Sequence, residues 1–302
     1  MIFLEPNSTS KLKARQDFVA SMAKLISKKI EKLDPFAARF FQENINSRLN
    51  DILGGTPAEI KAISDELNVF IQAQPIIRKA VEDVFNYNWF CNKCERRYDA
   101  YTLANSLGTH TCTYCNRNYA NTIITRRGKK ISRPVFDHFF DKGQNPLLAL
   151  SFFNLIPSCS VCNSNIKHKK SFDLKTHIHP YLDEIIREFK FSYKYSSKSI
   201  NGLEVIVTSS TGSKIERTLG DMELEAVYNS HTSDLKDLLD IRYKFSDNYL
   251  SILLSQILKG IHIPKADLYR LAFGTELAET DFHKRPLSKF KRDILTELGI
   301  VS

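Results

Sequence analysis

The sequence contains no apolar run that approaches the ~20 residues needed to cross a bilayer. The N-terminus lacks the apolar stretch of a cleavable signal peptide, and Lys11, Lys13 and Arg15 follow soon after it. Internal repeats and low-complexity linkers are also missing, as is the Gly-x-x-x-x-Gly-Lys-Ser/Thr loop that binds ATP phosphates. We therefore expect a cytoplasmic chain without ATPase activity of its own.

No cysteine stands alone in the sequence. Two thiolates on a tight turn can reach one tetrahedral ion, and two such turns complete a four-cysteine zinc site. Because a cytoplasmic chain keeps its thiols reduced, metal binding is favoured over disulfide formation. Nothing in the sequence indicates the βαβ unit of a thioredoxin-like redox protein. The six cysteines form three Cys-x-x-Cys pairs, in chain order Cys91/Cys94, Cys112/Cys115 and Cys159/Cys162.

The spacing of these pairs is compatible with two metal sites. The 17 residues between the first and second pairs fit a zinc ribbon, whereas 43 residues separate the second pair from the third. We favour the second pair with the third, because the loop between them would enclose the polar residues described next. The first pair would then be either buried thiols near Trp89 or a second metal-binding pair.

The loop between the second and third pairs holds residues suited to cutting a phosphodiester. Asp137 and His138 follow an apolar run. A carboxylate suits Mg²⁺ or Mn²⁺, and a neutral imidazole can accept a proton from water. Neighbouring residues on a strand face opposite sides, so both can approach one site if the pair lies at a strand end or a bulge. Asn163 directly follows the last cysteine and offers an amide oxygen, and Asn154 can tie backbone groups together in its loop.

In this order and spacing, the segment 111–170 resembles the HNN variants of the HNH endonucleases, which have a ββα-metal fold. The resemblance implies that His138 is the general base and that Asn154 orients the histidine loop. It also implies that Asp137 and Asn163 hold the divalent ion, with His168 as an alternative ligand. Within that family, the segment most resembles the HNH subunit of Septu-type and retron-associated anti-phage systems. This resemblance implies an ATPase partner. The matching residues are Cys112, Cys115, Asp137, His138, Asn154, Cys159, Cys162 and Asn163.

Positive charge is concentrated in the same part of the chain. The net charge is +9, and residues 116–175, with 11 Lys/Arg and 3 Asp/Glu, account for +8 of it. Charge runs are usually solvated faces, but their coincidence with the motif favours contact with phosphates of a nucleic acid. The candidate substrate-binding residues are Arg126, Arg127, Lys129 and Lys130 on a turn, and Lys167, Lys169 and Lys170 on a helical segment.

We expect an α+β protein with three regions. Residues 1–90 show helical spacing of apolar residues, with helix N-caps at Asp34 and Thr56. Residues 91–182 would form a zinc-stapled ββα-metal core. Residues 183–302 begin with two alternating segments, 189–195 and 203–207, which predict a hairpin with either a primed turn at Asn201-Gly202 or a longer loop. Helices at about 232–259, 265–274 and 286–298 would follow.

The preferred interpretation is a metal-dependent HNH endonuclease with a structural zinc ion, acting as the effector of an anti-phage system together with an ATPase. The main alternative is a non-catalytic zinc-ribbon subunit that binds nucleic acid or protein, in which Asp137 and His138 would be incidental. A subunit that docks to an ATPase through its helical ends is compatible with the first interpretation.

Overall fold

The computed structural model describes residues 1–92, 98–168, 170–199, 201–244 and 265–301. Helices and three two-stranded antiparallel sheets make up this part of the chain, which confirms the predicted α+β class. The chain divides into two compact units. The helical unit comprises residues 3–109 and 120–183, and the hairpin unit comprises residues 1–2, 110–119 and 184–302. None of the described helices is both long and apolar enough to span a bilayer.

This division differs from the three consecutive regions expected from the sequence. The N-terminal helices and residues 120–183 form one unit, whereas residues 110–119 belong with the C-terminal part. The reason is a set of hydrogen bonds that anchor this short segment within the hairpin unit. The backbone amide of Leu287 donates to the carbonyl of Asn116 at 2.6 Å, and the Tyr228 hydroxyl donates to the carbonyl of Cys115 at 2.7 Å.

Seven helices form most of the helical unit. Local signals set their starts, as predicted: the Asp34 carboxylate accepts from the amides of Phe36 and Ala37, and Thr56 and Glu59 form a reciprocal capping box. A proline occupies the first turn of each of these two helices. The helices are α1 (Thr9–Ile30), α2 (Pro35–Asn44), α3 (Leu49–Gly54), α4 (Pro57–Ala73), α5 (Pro75–Val84), α6 (Tyr87–Asn92) and α7 (Ala100–Leu107).

The core of the helical unit is built around α1. Phe18, fully buried, makes an edge-to-face contact with Phe90 at 5.9 Å and a tilted contact with Phe152 at 5.8 Å between ring centroids. Gly54 lets α3 approach α1, because a Cβ atom there would lie 2.5 Å from a methyl carbon of Val19. The packing of these residues brings the N-terminal helices against the segment that carries the candidate site.

Two short antiparallel pairs complete the helical unit. β1 (Ile123–Ile124) pairs with β2 (Lys130–Ser132), and both strands are exposed. β3 (Val135–His138) pairs with β4 (Leu155–Ser158), with Asp137 opposite Ile156 and His138 opposite Leu155. A single turn of π-helix follows β4 over Val161–Lys167. The order along the chain is therefore strand, loop, strand and helical turn, with candidate residues on β3, in the loop and in the segment that follows β4.

The hairpin unit contains a longer sheet and five described helices. β5 (Phe189–Tyr195) pairs with β6 (Leu203–Ser209), and Tyr195 is opposite Leu203. The two strands are thus joined by residues 196–202, so the longer loop is correct and the two-residue primed turn is wrong. The Asn229 side chain bonds both backbone groups of Val205 and covers the outer edge of β6. The helices are α8 (Lys214–Asp221), α9 (Leu224–Asn229), α10 (Thr232–Lys244), α11 (Lys265–Phe273) and α12 (Ser288–Glu297).

Three of these helices were expected from the periodicity, and α8 and α9 were not. The predicted continuation of α10 to about residue 259 lies outside the described residues. Phe191 of β5 packs on Tyr228 at 4.3 Å and on Phe290 at 5.5 Å, which places an aromatic cluster in the core of the hairpin unit.

Candidate metal centre and catalytic residues

Four buried cysteines form the candidate metal centre. Their sulfur atoms all lie within 4.8 Å of one another. Tetrahedral Zn²⁺ with Zn–S bonds of about 2.3 Å needs sulfur atoms roughly 3.8 Å apart, so the thiols are close enough to share one ion. The structure thus confirms the preferred prediction, in which the second and third cysteine pairs lie together. Cys91 is half-buried, and Cys94 lies outside the described residues. The members are Cys112, Cys115, Cys159 and Cys162.

Each cysteine pair lies on a turn that directs backbone amides toward sulfur. The amide of Arg117 donates to the Sγ atom of Cys115 at 3.4 Å, and the amide of Cys162 donates to the Sγ atom of Cys159 at 3.5 Å. Hydrogen bonds of this kind favour the thiolate, which is the form that binds metal. Asn116 adopts a φ of +50°, the left-handed conformation that closes the first turn. The local geometry therefore suits a structural zinc ion in a closed, four-thiolate site.

His138 occupies the last position of β3 and is buried. Its Nε2 atom lies 3.0 Å from the backbone carbonyl oxygen of Ala149. A carbonyl can only accept, so Nε2 carries the hydrogen and Nδ1 has the lone pair. The pKa of His138 is lowered to about 3, mainly by burial; the hydrogen bond to the Ala149 carbonyl opposes this shift, and the ammonium groups of Lys142 and Lys167 contribute to it. The imidazole is therefore neutral at physiological pH and oriented by the protein.

Asn154 closes the loop that connects β3 to β4. Its Oδ1 atom accepts from the amide of Phe140 at 2.7 Å, and its Nδ2 atom donates to the carbonyls of Phe140 at 3.1 Å and Leu148 at 2.9 Å. The side chain is fully buried. Leu148 directly precedes Ala149, whose carbonyl oxygen contacts the His138 ring. By bonding Leu148, the Asn154 amide therefore fixes the part of the loop that orients this ring.

Asn154→Ala should destabilise the helical unit and loosen the His138 loop. The change leaves three buried backbone groups without their partner, and each unsatisfied buried group costs about 1–3 kcal/mol. Urea unfolding would measure the loss. Asn88→Ala is the matched control, since Asn88 is exposed and its replacement should leave the unfolding midpoint nearly unchanged. Equal midpoints for the two variants would contradict the role of Asn154 in fixing this loop.

Asp137 faces the π-helical turn that carries Asn163. Both carboxylate oxygens of Asp137 lie 3.2 Å from the Nζ atom of Lys167, and both side chains are buried. Asn163, half-buried, stands four residues before Lys167. Both residues belong to the π-helical turn Val161–Lys167. His168 is exposed and ends the turn with a φ of +44°.

Lys167, a candidate for contact with the substrate backbone, is buried and therefore not exposed to a substrate. Only 2% of the residue is exposed. Its ammonium donates to the backbone carbonyl of His138 at 2.8 Å, in addition to its contact with Asp137, and it lies 4.9 Å from the centre of the Phe172 ring. The physical reason is Asp137, because a buried carboxylate requires a compensating cation and the Lys167 ammonium provides it.

The comparisons found no relative. No family model, curated protein or solved structure matches the chain. The chemistry of the site must therefore be inferred from the chain's own residues, of which the Asp137–His138 pair with its fixed imidazole is the most informative.

The remaining basic residues have different surroundings. Arg126, Arg127 and Lys129 lie exposed on the turn between β1 and β2. Lys130 forms an ion pair with the nearly buried carboxylate of Asp99 and is only partly available to a substrate. Lys170 is half-buried, and Lys169 lies outside the described residues. The exposed turn, with no acidic residue between 120 and 136, is the strongest candidate for contact with phosphates.

The structure adds Tyr87 and Lys142 to the candidate site. The ring of Tyr87 meets the His138 ring edge-on at 4.6 Å, and its hydroxyl donates to the carbonyl of Phe136 at 3.2 Å. The Nζ atom of Lys142 lies 5.1 Å from the centre of the Tyr87 ring. Both residues line a cavity of about 280 Å³ that also includes Ala149. Tyr87 lies 51 positions before His138, and no local pattern connects them in the sequence.

Proposed function

We propose that this chain is a metal-dependent HNH endonuclease that hydrolyses phosphodiester bonds of nucleic acid, with β3, β4 and the π-helical turn as its ββα-metal core. The observation that carries the proposal is the imidazole of His138, buried and held through Nε2, on the residue that follows the buried Asp137 in β3. A binding module needs no imidazole fixed in this tautomer.

His138 would act as the general base. With Nε2 bonded to Ala149, the lone pair of Nδ1 can take a proton from the attacking water, and the resulting charge is shared with the Ala149 carbonyl. Asn154 maintains this arrangement through the loop. Lys142 and the cavity beside Tyr87 offer a place where a phosphate can approach the imidazole.

The donor atoms of the site fit a divalent ion. A carboxylate from Asp137 and an amide oxygen from Asn163 are hard ligands of the kind that Mg²⁺ or Mn²⁺ takes, and both residues lie on elements that face each other. When bound, such an ion would stabilise charge on the phosphate and on the leaving 3′ oxygen. The four-thiolate site has no open position and would be structural.

A cleavage assay on several DNA and RNA substrates tests this proposal. The zinc-loaded protein should cut at least one substrate with Mg²⁺ or Mn²⁺ and none after chelation of the divalent ion. The alternative of a non-catalytic zinc-ribbon subunit is favoured by one observation: Lys167 already satisfies the charge of Asp137. Binding without cleavage under all metal conditions would support that alternative.

The turn between β1 and β2 would hold the substrate backbone. Replacing Arg126, Arg127 and Lys129 with glutamine should weaken binding to all sequences alike. It should also reduce the slope of log K against log salt by about 0.9 for each phosphate of B-form DNA that the turn no longer neutralises. Binding titrations at several salt concentrations measure both effects.

A triple replacement on α1 and in the turn that follows it provides the control for this prediction. Lys24, Lys28 and Lys32 are exposed, and their replacement with glutamine removes the same total charge. If the two triple variants change the salt slope equally, the β1–β2 turn has no special role in binding.

We also propose that the chain acts with a partner ATPase in anti-phage defence. The proposal is supported by the resemblance of segment 111–170 and by the lack of an ATP-binding loop in this sequence. The N-terminal helices expose apolar side chains for docking: Phe36, Val69 and Ile76 are 53%, 79% and 59% exposed. A nuclease kept inactive until its partner signals would spare the host's own nucleic acid.

Co-expression with the neighbouring gene products tests the partnership. An ATPase should co-purify with the wild-type chain, and Val69→Lys with Ile76→Lys should abolish the association, because charges are costly in an apolar interface. The same substitutions should leave zinc content unchanged. A chain that is fully active alone and co-purifies with no ATPase would refute the partnership.

A further inference from the structure

We propose that Lys167 competes with the divalent ion for Asp137, so that the site holds its own cation until a metal ion displaces it. This inference rests on the endonuclease function proposed above. Its basis is a buried ion pair in which one ammonium group contacts both oxygens of the carboxylate that would bind the metal.

The three hydrogens of the Lys167 ammonium all have acceptors. Two point to the Oδ1 and Oδ2 atoms of Asp137, each at 3.2 Å, and the third to the carbonyl oxygen of His138 at 2.8 Å. The Phe172 ring lies on another side of the Nζ atom. Lys167 is therefore bound as an ion in a small cage, and the cage is formed by the strand that carries the acid and the base.

Two cations cannot share this carboxylate without repulsion. Burial excludes the water that would screen their charges, and like charges within a few ångströms disfavour each other strongly in such surroundings. Lys167 therefore lowers the affinity of Asp137 for a divalent ion. In exchange, it compensates the charge of the carboxylate and holds it in position while no metal ion is bound.

The position of Lys167 allows such a displacement. It is the last residue of the π-helical turn, and His168 after it is exposed. Single turns of π-helix are uncommon and occur often at functional sites. A local change at Lys167 and His168, the end of this turn, would withdraw the ammonium from Asp137 and leave the amide oxygen of Asn163 available.

Binding of Mn²⁺ alone to zinc-loaded protein, followed by the electron paramagnetic resonance signal of free Mn²⁺, tests the inference without any activity assay. Lys167→Met should bind Mn²⁺ more tightly than wild type, on the order of 10-fold or more, because the repulsion is removed. Lys167→Arg keeps a cation at Asp137 and should bind as weakly as wild type. Lys175→Met, which removes an exposed charge from the same unit, should also match wild type.

Thermal unfolding gives a second measurement. Mn²⁺ should raise the Tm of Lys167→Met more than that of wild type, since a ligand that binds more tightly stabilises the folded chain more at the same concentration. If Lys167→Met does not retain zinc and a folded circular dichroism spectrum, Lys167→Gln replaces it, because its amide keeps a donor for the His138 carbonyl.

Asp137→Asn separates failure of this inference from failure of the proposed function. If wild type and the neutral Lys167 variant bind Mn²⁺ equally and Asp137→Asn does not bind it, Lys167 is not a competitor, although the metal site stands. Weaker binding by the neutral variant would mean that Lys167 assists the metal ion, and would also overturn the inference. If neither wild type nor the neutral variant binds Mn²⁺, the metal site and the proposed function are wrong as well.

Discussion

His138→Ala should lower the rate of phosphodiester cleavage by ~10²–10⁴, the usual contribution of a general base. The substitution removes the nitrogen that accepts the proton from water and leaves the cysteines, the basic turn and Asp137 in place. Substrate binding should therefore change little. Single-turnover cleavage with saturating protein measures the chemical step, and a separate binding titration shows whether affinity is retained.

The ring of His138 also has structural contacts, so its loss needs a control. His138→Gln keeps a donor that can bond the Ala149 carbonyl but supplies no base, and it should be as inactive as the alanine variant. Zinc content and the urea midpoint report whether each variant is folded. If His138→Ala cleaves at the wild-type rate while His168→Ala does not, the motif has been misaligned and His138 is not the base.

The metal ligands should behave differently from the base. Asp137→Ala and Asn163→Ala weaken the hold on the divalent ion, so raising the Mg²⁺ concentration or substituting Mn²⁺ should restore part of their activity. No metal ion can restore the lost base of His138→Ala. The contrast between the two kinds of variant is informative even if their rates without added metal are equal.

Local features of the sequence predicted the N-terminal helices well. Asp34 and Thr56 are N-caps in the structure because their side chains bond amides only two or three residues away. The hairpin of β5 and β6 was also predicted correctly, because the alternation of apolar and polar residues along each strand is a local signal. The turn was harder to predict, since Asn201-Gly202 favours a two-residue connection and the register at Tyr195 and Leu203 requires a longer one.

Features that depend on distant partners were not predictable in this way. Lys167 belongs to a run of four basic residues, which alone indicates a solvated face. Its burial depends on Asp137, 30 positions earlier. The assignment of residues 110–119 to the hairpin unit likewise depends on Tyr228 and Leu287, more than 100 positions away. Such contacts are set by tertiary packing, which periodicity and spacing do not encode.

The cysteine pairing shows the same limit more directly. Spacing alone favoured a ribbon formed by the first and second pairs, whereas enclosure of the Asp-His motif favoured the second and third. The structure brings the second and third pairs within 4.8 Å. The functional argument was the better guide, because a long loop costs little extra closure entropy when its contents are themselves folded.

Loss of zinc should have the largest effect on folding. The purified chain should contain one tightly bound Zn²⁺, and Cys159→Ser should lose it, since a hydroxyl is a poor substitute for a thiolate ligand. Structural zinc sites contribute about 10–16 kcal/mol to folding in zinc-finger peptides, as much as the whole stability of a typical domain. We therefore expect Cys159→Ser, or strong chelation, to unfold the segment that carries His138 and to abolish cleavage.

Cys91→Ser is the matched control, because Cys91 is a half-buried cysteine outside the four-sulfur cluster. It should retain one zinc ion and the wild-type urea midpoint. Metal analysis by mass spectrometry and urea unfolding measure both quantities for the two variants. Full zinc occupancy in Cys159→Ser, or a metal-free wild-type chain that remains folded, would contradict the assignment. Loss of zinc from Cys91→Ser together with full occupancy in Cys159→Ser would favour a site formed by the first and second pairs. The loop with His138 would then not be closed by the ion.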